Sequence, residues 1–351
     1  MKQPSDTSNT TPLISIVIPT VGRACLIKTL ESLAAAELFD KVEVIVAGLL
    51  PDEAIATQFQ TLSTLHPQIR HLPVSFEKGD SSAKKNAGME AARSDIVAFL
   101  DDDVIVPPGW IPTVHEAFAD PDIHVISGPA LPPDDITLTG RLAALALSSA
   151  ASGYVAKRYT LQEAPPTQAP WSTIIGCNMA WRRAALQQAG GFSVQFWPGE
   201  EMLAAFRAEQ NGHHLYCVPA AWLYHMPRQT LLGFWRQIQG YGATRIRLIR
   251  AGVTIEYTTL IPALWVLSLV VLIPAAFFCK WALWLLLAET AVYMLLPLSA
   301  AAKAFLRQRR WSNWLLVGMI PLMHLSYGLA EWRELLQPGR DFSGTLTTKA
   351  S

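Results

Sequence analysis

Charge is what this sequence has least of. Asp, Glu, Lys and Arg make up 16% of its 351 residues, against about 25% in an average soluble domain. Basic and acidic residues each number 28, so the formal net charge is zero. Without a basic excess the composition argues against a nucleic-acid binder. Because 51% of the residues are hydrophobic, it also argues against a disordered chain.

The sequence also has few cysteines and a polar N-terminal stretch. The four cysteines are scattered and form no CxxC pair, which argues against zinc and a disulfide framework and suits a reducing cytoplasm. The N-terminus, MKQPSDTSNTTPL, is polar, so we expect no secretory signal peptide. Residues 1–11 are predicted to be a disordered tail.

The apolar residues are concentrated near the C-terminus. Residues 258–279 contain no charged residue, and as a helix they would be about 33 Å long, enough to cross a hydrocarbon core of about 30 Å. Similar runs cover 281–302 and 313–330. We therefore predict a transmembrane region of about three helices over 258–335, followed by a C-terminal tail at 336–351. Three buried helices of a soluble bundle are the alternative.

Basic residues predict the orientation of these helices. Arginines precede the first run, and Lys303, Arg307, Arg309 and Arg310 lie between the second and third. The positive-inside rule then places the N-terminal part on the cytoplasmic side of the inner membrane, in a multi-pass protein. Residues 228–257 mix Arg with apolar residues, which is typical of an amphipathic juxtamembrane segment on an anionic leaflet.

One acidic residue, Glu289, falls inside a predicted span. It is either a functional carboxylate or a group hydrogen-bonded inside the helix bundle. We favour the second, because three helices with so few charges make a poor ion pathway.

The N-terminal part alternates strand and helix patterns. Short apolar runs predict strands at Leu13–Ile18, Val42–Val46, Ile69–Val74 and Ile96–Leu100. Helical patterns over 26–36, after Pro51 and over 81–92 separate them. This alternation predicts an α/β sheet with parallel strands, and such sheets bind ligands at the carboxyl ends of their strands.

Two acidic groups lie at the ends of predicted elements, one after a strand and one at the start of a helix. Asp101, Asp102 and Asp103 come directly after the fourth strand, where a divalent cation would offset their repulsion; a solvated acidic turn is the alternative. Glu201 opens a helix that runs to Gln210. The helix dipole favours its charged form, as a general base requires, although ordinary N-terminal capping would look the same.

Five segments together resemble the family-2 glycosyltransferases of the GT-A fold, in their membrane-anchored bacterial form. They are Val17–Arg23, Ala83–Val104, Gly176–Phe192, Gly199–Arg207 and Gln239–Gly242. The resemblance runs from about Ser15 to the third predicted span. It implies a Rossmann-like mixed sheet over 12–227, a nucleotide-diphosphate sugar donor and Mg²⁺ or Mn²⁺.

The resemblance also implies a role for each matching residue. Glu201 stands in the place of the catalytic base, with Glu200 beside it. The metal residues are Asp101 and Asp103 at the DxD positions, with His225 as a further contact or, equally, a structural histidine. The donor-binding residues are Pro19, Thr20, Arg23, Lys85, Asn86, Asp101 and Asp102. The acceptor-binding residues are Gly176, Asn178 and Trp197. Trp197 either stacks on an acceptor sugar or is an aromatic residue of the core.

Three departures from the family pattern bear on function. The family usually has Asp where Glu201 stands, and an acidic residue where Ala47, Gly48 and Leu49 stand. No QxxRW follows the base region, which disfavours a processive synthase. We therefore expect an inverting, non-processive transferase acting on a membrane-associated, polyprenyl-linked or saccharide acceptor in envelope or exopolysaccharide synthesis. The alternative is an inactive GT-A-like membrane protein that binds sugar nucleotides or acts as a scaffold.

Overall fold

The computed structural model describes residues 11–76 and 80–337. The predicted N-terminal and C-terminal tails lie almost entirely outside these residues. The chain divides into two compact units. The first comprises 1–130, 162–194 and 200–225, and the second comprises 131–161, 195–199 and 226–351.

The described residues form eleven strands and eleven α-helices. The strands are β1 Ser15–Pro19, β2 Glu43–Ala47, β3 Ile69–Leu72, β4 Ile96–Leu100, β5 Val104–Ile105, β6 Val125–Ser127, β7 Ala130–Leu131, β8 Thr167–Gln168, β9 Asn178–Arg182, β10 Leu215–Cys217 and β11 Leu223–His225. The helices are α1 Cys25–Ala34, α2 Glu53–Leu65, α3 Asp80–Ala91, α4 Trp110–Ala117, α5 Leu138–Leu147, α6 Arg183–Gln188, α7 Glu200–Gln210, α8 Leu231–Arg250, α9 Ile261–Ala276, α10 Lys280–Gln308 and α11 Leu316–Leu336.

The first unit is built on an eight-stranded mixed sheet. Its order is β3-β2-β1-β4-β9-β6-β10-β8. The pairs among β3, β2, β1 and β4 are parallel, whereas β9 is antiparallel to both of its neighbours. The four strands predicted from apolar runs are present within two residues of their expected ends. The third stops at Leu72 because Pro73 follows, and proline cannot donate a ladder hydrogen bond.

The centre of this sheet is the core of the first unit. All five residues of β2 and four of the five in both β1 and β4 are buried. Helix α3 lies close against β1 at Gly88, where an added Cβ would fall 2.3 Å from a methyl carbon of Val17. This close approach fixes α3, and the two lysines that it carries, beside the carboxyl ends of the strands.

The second unit has a helical core to which α5 contributes. The cluster consists of Leu142, Ala143, Ala146, Leu147, Val155, Phe234, Ile238, Ala301, Ala304, Leu316, Met319, Ile320 and Met323. Residues 131–161, which the sequence assigned to the α/β domain, belong to this second unit, while the domain bounds stay a prediction. The apolar residues of α5 pack in the same cluster as those of α8 and α11.

Among the described residues, two helical stretches have the length and hydropathy of membrane spans, Tyr257–Ala276 and Lys280–Gln308. Only 11% of the apolar stretch of each is buried. The third predicted span corresponds to α11, which does not meet this criterion: its end carries Glu331 and Glu334, both buried within the helical unit. Glu289 accepts a hydrogen bond from Ser268 on α9, as expected for a carboxylate satisfied inside the bundle.

Helix α8 occupies much of the predicted juxtamembrane segment, and its buried face packs along α11. Arg245 donates to the hydroxyl of Tyr327 at 2.9 Å, and Arg247 pairs with Glu334 at 2.9 Å. Arg250 lies 3.7 Å from the other oxygen of Glu334. Three of the five arginines in this segment therefore bond to α11: Arg247 and Arg250 to its acidic end at Glu334, and Arg245 to the Tyr327 hydroxyl.

Candidate active site

The three aspartates after β4 divide into two groups by side-chain direction. Asp102 is 2% exposed and turns inward, where it accepts hydrogen bonds from Thr20 Oγ1 at 2.6 Å and from Arg23. Asp101 and Asp103 instead face His225, whose Nε2 lies 3.9 Å from Asp101 Oδ2 and 3.2 Å from Asp103 Oδ1. The two outer carboxylates of the DxD pattern thus lie on one side of the turn, and the middle one accepts hydrogen bonds inside the protein.

The position of His225 follows from strand pairing. Strands β5 and β11 are antiparallel, and the register pairs His225 with Val104. Because Val104 comes directly after the aspartates, the imidazole is brought beside their carboxylates. The structure therefore unites the three residues predicted to hold a metal, and an oxygen-rich set with one imidazole is a suitable site for Mn²⁺ or Mg²⁺.

A sulfur atom that sequence reasoning missed lies in the same place. Cys177 Sγ, an oxygen of Asp101 and a ring nitrogen of His225 lie within 4.8 Å of one another. The cause is the antiparallel pairing of β4 with β9, which matches Leu100 with Asn178 and so sets Cys177 beside Asp101. Burial raises the pKa of the Cys177 thiol, and the charges of Asp101 and Asp103 add to this effect.

The carboxyl of Asp101 has a raised pKa. Loss of hydration is the main cause, and Asp103 and Asp102 contribute in the same direction. Lys85 and His225 oppose the rise, since their positive charge favours the carboxylate. This end of the sheet therefore concentrates negative charge that a cation would offset.

Lys85 and Glu200 form a buried ion pair across the same region. Lys85 Nζ lies 3.0 Å from Glu200 Oε1, and both side chains are about 95% buried. Burial alone would lower the pKa of Lys85, but Glu200, Asp101 and Glu201 outweigh it and raise the pKa. The lysine is therefore cationic and places a positive charge between the aspartates and the start of α7.

Glu201 differs from Glu200 in its accessibility. It lies in the first turn of α7 and is partly exposed, whereas Glu200 is buried. A Cβ added at Gly176 would come 3.6 Å from the carboxyl carbon of Glu201 and 3.5 Å from Lys85 Nζ. The predicted base Glu201 and the predicted acceptor residue Gly176 are thus close neighbours. Of the two glutamates, Glu201 is the one that a ligand can reach.

Two asparagines predicted to bind ligands hold the framework of the site. Asn178 is 2% exposed; its oxygen accepts from the Trp110 indole at 3.1 Å, and its amide donates to the carbonyls of Pro129 and Ala221. Asn86 exchanges two hydrogen bonds with the backbone of Phe192. Their roles as ligand contacts stay predictions, and the buried Asn178 is the less accessible of the two.

The residues after β1 also divide between framework and site. Thr20 is buried, its hydroxyl is bonded to Asp102, and its carbonyl accepts from Lys84 Nζ at 2.8 Å. Thr20 and Asp102 thus bond to each other inside the protein, and their contact with a donor stays a prediction. Arg23 remains nearly half exposed and donates to Asp103 at 3.1 Å. Burial would lower the pKa of its guanidinium, but Asp102 and Asp103 raise it.

Pro19 and Trp197 remain predictions as ligand contacts. Pro19 is the last residue of β1 and is paired with Ala47. The indole of Trp197 is 60% exposed, and its backbone carbonyl accepts from Arg247 at 2.7 Å within the second unit. An exposed indole is compatible with stacking on a sugar and excludes the alternative of a core aromatic.

Similarity to known proteins identifies the class to which this chain belongs. The family model described as "Glycosyltransferase like family 2" matches residues 11–240. The chain therefore belongs to glycosyltransferase family 2, and its first unit has the GT-A-like mixed α/β sheet that the sequence predicted.

Among curated relatives, the pre-mycofactocin glycosyltransferases of two Mycobacterium tuberculosis strains, CDC 1551 / Oshkosh and ATCC 25618 / H37Rv, are each 27% identical over 186 residues. The match covers 51% of this chain and 37% of each relative. Chondroitin synthase of Escherichia coli is 26% identical over 239 residues, covering 60% of this chain and 34% of that one. The chain thus spans little more than a third of the length of these relatives.

A solved structure is similar over nearly the whole chain. It is a mannosyltransferase from Pyrobaculum calidifontis in complex with GDP-Man and Mn²⁺. The TM-score is 0.64 at 17% identity, and the match covers 96% of this chain and 92% of the other. At this identity the likeness shows a shared fold, and its coverage includes residues beyond the α/β unit.

Proposed function

We propose that the protein transfers one sugar from a nucleotide-diphosphate sugar to an acceptor hydroxyl, with inversion at the anomeric carbon. The observation that carries this proposal is the grouping of Asp101, Asp103 and His225 with Lys85 and Glu201 at the carboxyl end of β4. Family membership and the names of the relatives support the reaction class. The GDP-Man and Mn²⁺ in the similar mannosyltransferase support the donor class and the cation.

On the donor side, the chain offers cations and cation ligands. Asp101, Asp103 and His225 would hold Mn²⁺ or Mg²⁺, which when bound offsets the charge that develops on the leaving diphosphate. The exposed part of Arg23 presents a permanent positive charge beside Asp103. Lys85 adds a buried positive charge, whose effect is strengthened by its dry surroundings. Together these groups favour the departure of an anionic nucleotide.

On the acceptor side, Glu201 is the general base. The N-terminus of α7 favours its carboxylate form. The carboxylate takes the proton of the acceptor hydroxyl while the hydroxyl oxygen attacks the anomeric carbon on the face opposite the leaving diphosphate. This single displacement inverts the configuration, and a positioned base contributes about 10²- to 10⁴-fold to such a step.

The C-terminal helices support a membrane-associated acceptor. The two candidate spans leave large apolar side chains exposed, including Phe277, Phe278 and Trp284, and contiguous surfaces of this kind mark contact with lipid or another protein. The basic residues in the last turns of α10 and directly after it favour the inner membrane, with the α/β unit in the cytoplasm. We infer a lipid-linked acceptor, of the polyprenyl type, in the synthesis of an envelope or secreted polysaccharide.

The test uses membranes containing the full chain. Labelled UDP-, GDP- and TDP-sugars are supplied with Mn²⁺ and a lipid extract, after a thermal-shift screen has selected the donor. We expect label in the organic phase, and an anomeric configuration opposite to that of the donor by NMR. Glu201→Gln should slow transfer by at least about 10²-fold, while the surface variant Glu90→Gln should leave it unchanged. Donor binding without transfer by the wild-type chain would instead favour the inactive, scaffold alternative.

A further inference from the structure

The cation-binding group contains a soft donor atom that the proposed reaction does not require. Cys177 Sγ belongs to the same cluster as Asp101 and His225, and the residue is 4% exposed. Its thiol makes no hydrogen bond within the part of the chain that the structure describes. This buried thiol lies beside one oxygen ligand and one nitrogen ligand, and can therefore bind a cation directly.

Sulfur changes which cations such a site prefers. Mg²⁺ favours oxygen ligands, whereas thiolate and imidazole favour Zn²⁺, Co²⁺ and their soft relatives. Zinc binds oxygen, nitrogen and sulfur at about 2.0–2.3 Å in a tetrahedral arrangement, which places neighbouring ligand atoms about 3.5 Å apart. The present atoms lie within 4.8 Å of one another. Side-chain displacements of about 1 Å would thus bring all three into one coordination sphere.

We propose that Asp101, Cys177 and His225 form a binding site for a thiophilic divalent cation of the zinc class, with the Cys177 sulfur as a direct ligand. Binding releases the thiol proton to solvent as the metal–sulfur bond forms, and no electrons are transferred. Because Asp101 and His225 are shared, this cation competes with the Mn²⁺ of the proposed function. Only this competition, and the inhibition that it implies, rests on the proposed function.

Cobalt(II) is the probe for the sulfur ligand. The full chain in detergent micelles is titrated with Co²⁺ while the sulfur-to-cobalt charge-transfer absorption in the near ultraviolet is recorded. The wild-type protein should develop this band, Cys177→Ser should lose it, and Cys217→Ser, which removes a thiol outside the cluster, should keep it. Asp101→Asn keeps the thiol but removes a charged ligand. It should weaken Co²⁺ binding by at least about tenfold, the smallest loss of metal affinity usual for changes at such sites.

The competition has its own readout. Zn²⁺ should release bound Mn²⁺ from the wild-type protein, measured by the electron paramagnetic resonance signal of free Mn²⁺. At least about tenfold more Zn²⁺ should be needed for Cys177→Ser or Cys177→Ala. The proposal would be overturned if the wild-type chain lacked the cobalt band, or if Cys177→Ser and Cys177→Ala both kept it. A cobalt band without sugar transfer would overturn only the proposed function, and transfer without the band would overturn only this inference.

Discussion

Lys85 and Glu200 face each other at 3.0 Å in a part of the protein that excludes water, while the neighbouring Glu201 remains partly exposed. Two adjacent glutamates at the start of α7 thus have different tasks. Glu200 is tied to the lysine and stabilises its buried charge. Glu201 is left to meet a substrate hydroxyl.

This division predicts opposite phenotypes for two conservative variants. Glu200→Gln should destabilise the chain by about 3 kcal/mol, near the low end for breaking a buried ion pair, since Asp101 and Glu201 still act on Lys85. Glu201→Gln should leave the thermal unfolding midpoint unchanged and lower kcat by at least about 10²-fold. Thermal unfolding and transfer rates measured on both variants decide the matter. A stable Glu200→Gln protein that has lost turnover would assign the base to Glu200.

The aspartates after β4 predict a similar contrast. Asp103→Asn should weaken Mn²⁺ binding by about 10- to 100-fold in the presence of GDP or UDP, without loss of stability. Asp102→Asn should leave Mn²⁺ binding nearly unchanged but cost about 2 kcal/mol, because it weakens hydrogen bonds from Thr20 and Arg23 to a charged acceptor. Manganese titrations and thermal unfolding separate the two effects. Equal loss of Mn²⁺ affinity in both variants would contradict the assignment.

Asn178 should behave as a framework residue. Asn178→Ala leaves the Trp110 indole and the Ala221 carbonyl without this partner, whereas the Pro129 carbonyl keeps a hydrogen bond from the Leu223 amide. At about 1–3 kcal/mol for each buried polar group left unsatisfied, the expected cost is at least about 2 kcal/mol. Asn211→Ala, which removes one exposed hydrogen bond, is the matched control. If Asn178→Ala proved as stable as the control and raised only the KM for acceptor, the sequence-based assignment to acceptor binding would be right after all.

The repeating strands and helices of the first unit were predictable because each buried strand is a short apolar run and each is followed by a turn. The motif residues were also located correctly at the ends of elements. Sequence does not specify side-chain direction, however, so the internal hydrogen bonds of Asp102, Asn86 and Asn178 were not predicted. The pairing of β4 with β9 joins segments some 80 residues apart, and without it nothing marked Cys177 as a neighbour of Asp101.

The helical unit shows the same limit on a larger scale. Apolar runs identified α9 and α10 because hydropathy is a local property. The assignment of α5 to the helical core depends on contacts with α8 and α11, which lie about 90 and 170 residues further along the chain. Its ten residues, LTGRLAALAL, fit a core helix of either unit.

Acid should destabilise the first unit through Glu43. This residue is fully buried and accepts hydrogen bonds from Ser15 at 2.5 Å and from Arg93. Burial alone would raise its pKa, but these bonds and the charge of Arg70 hold the pKa below its ordinary value. A depressed folded pKa stabilises the protein above the unfolded value of about 4.3, and this stability is lost as the pH falls through the folded pKa.

Glu43→Gln should therefore cost about 2 kcal/mol at neutral pH, the scale of hydrogen bonds to a charged group. The difference from wild type should narrow as the pH falls below about 4.3. Unfolding midpoints measured between neutral pH and pH 3 test this, with the exposed Glu90→Gln as control. A deficit that is the same at every pH would show that the charge of Glu43 is not the stabilising feature.

The crossing of α8 and α11 depends on the lack of a side chain at Gly242, in the YG segment. A Cβ there would fall 2.3 Å from the backbone oxygen of Tyr327, so Gly242→Ala must push the helices apart. We expect a loss of about 1–3 kcal/mol, the usual cost of overpacking. At Gly318, also on α11, an added Cβ meets nothing within 4 Å, so Gly318→Ala should be neutral or stabilise by up to about 1 kcal/mol through helix propensity. Thermal unfolding of both full-length variants in the same detergent checks the pair; equal destabilisation would mean that helix glycines matter here for flexibility rather than for close approach.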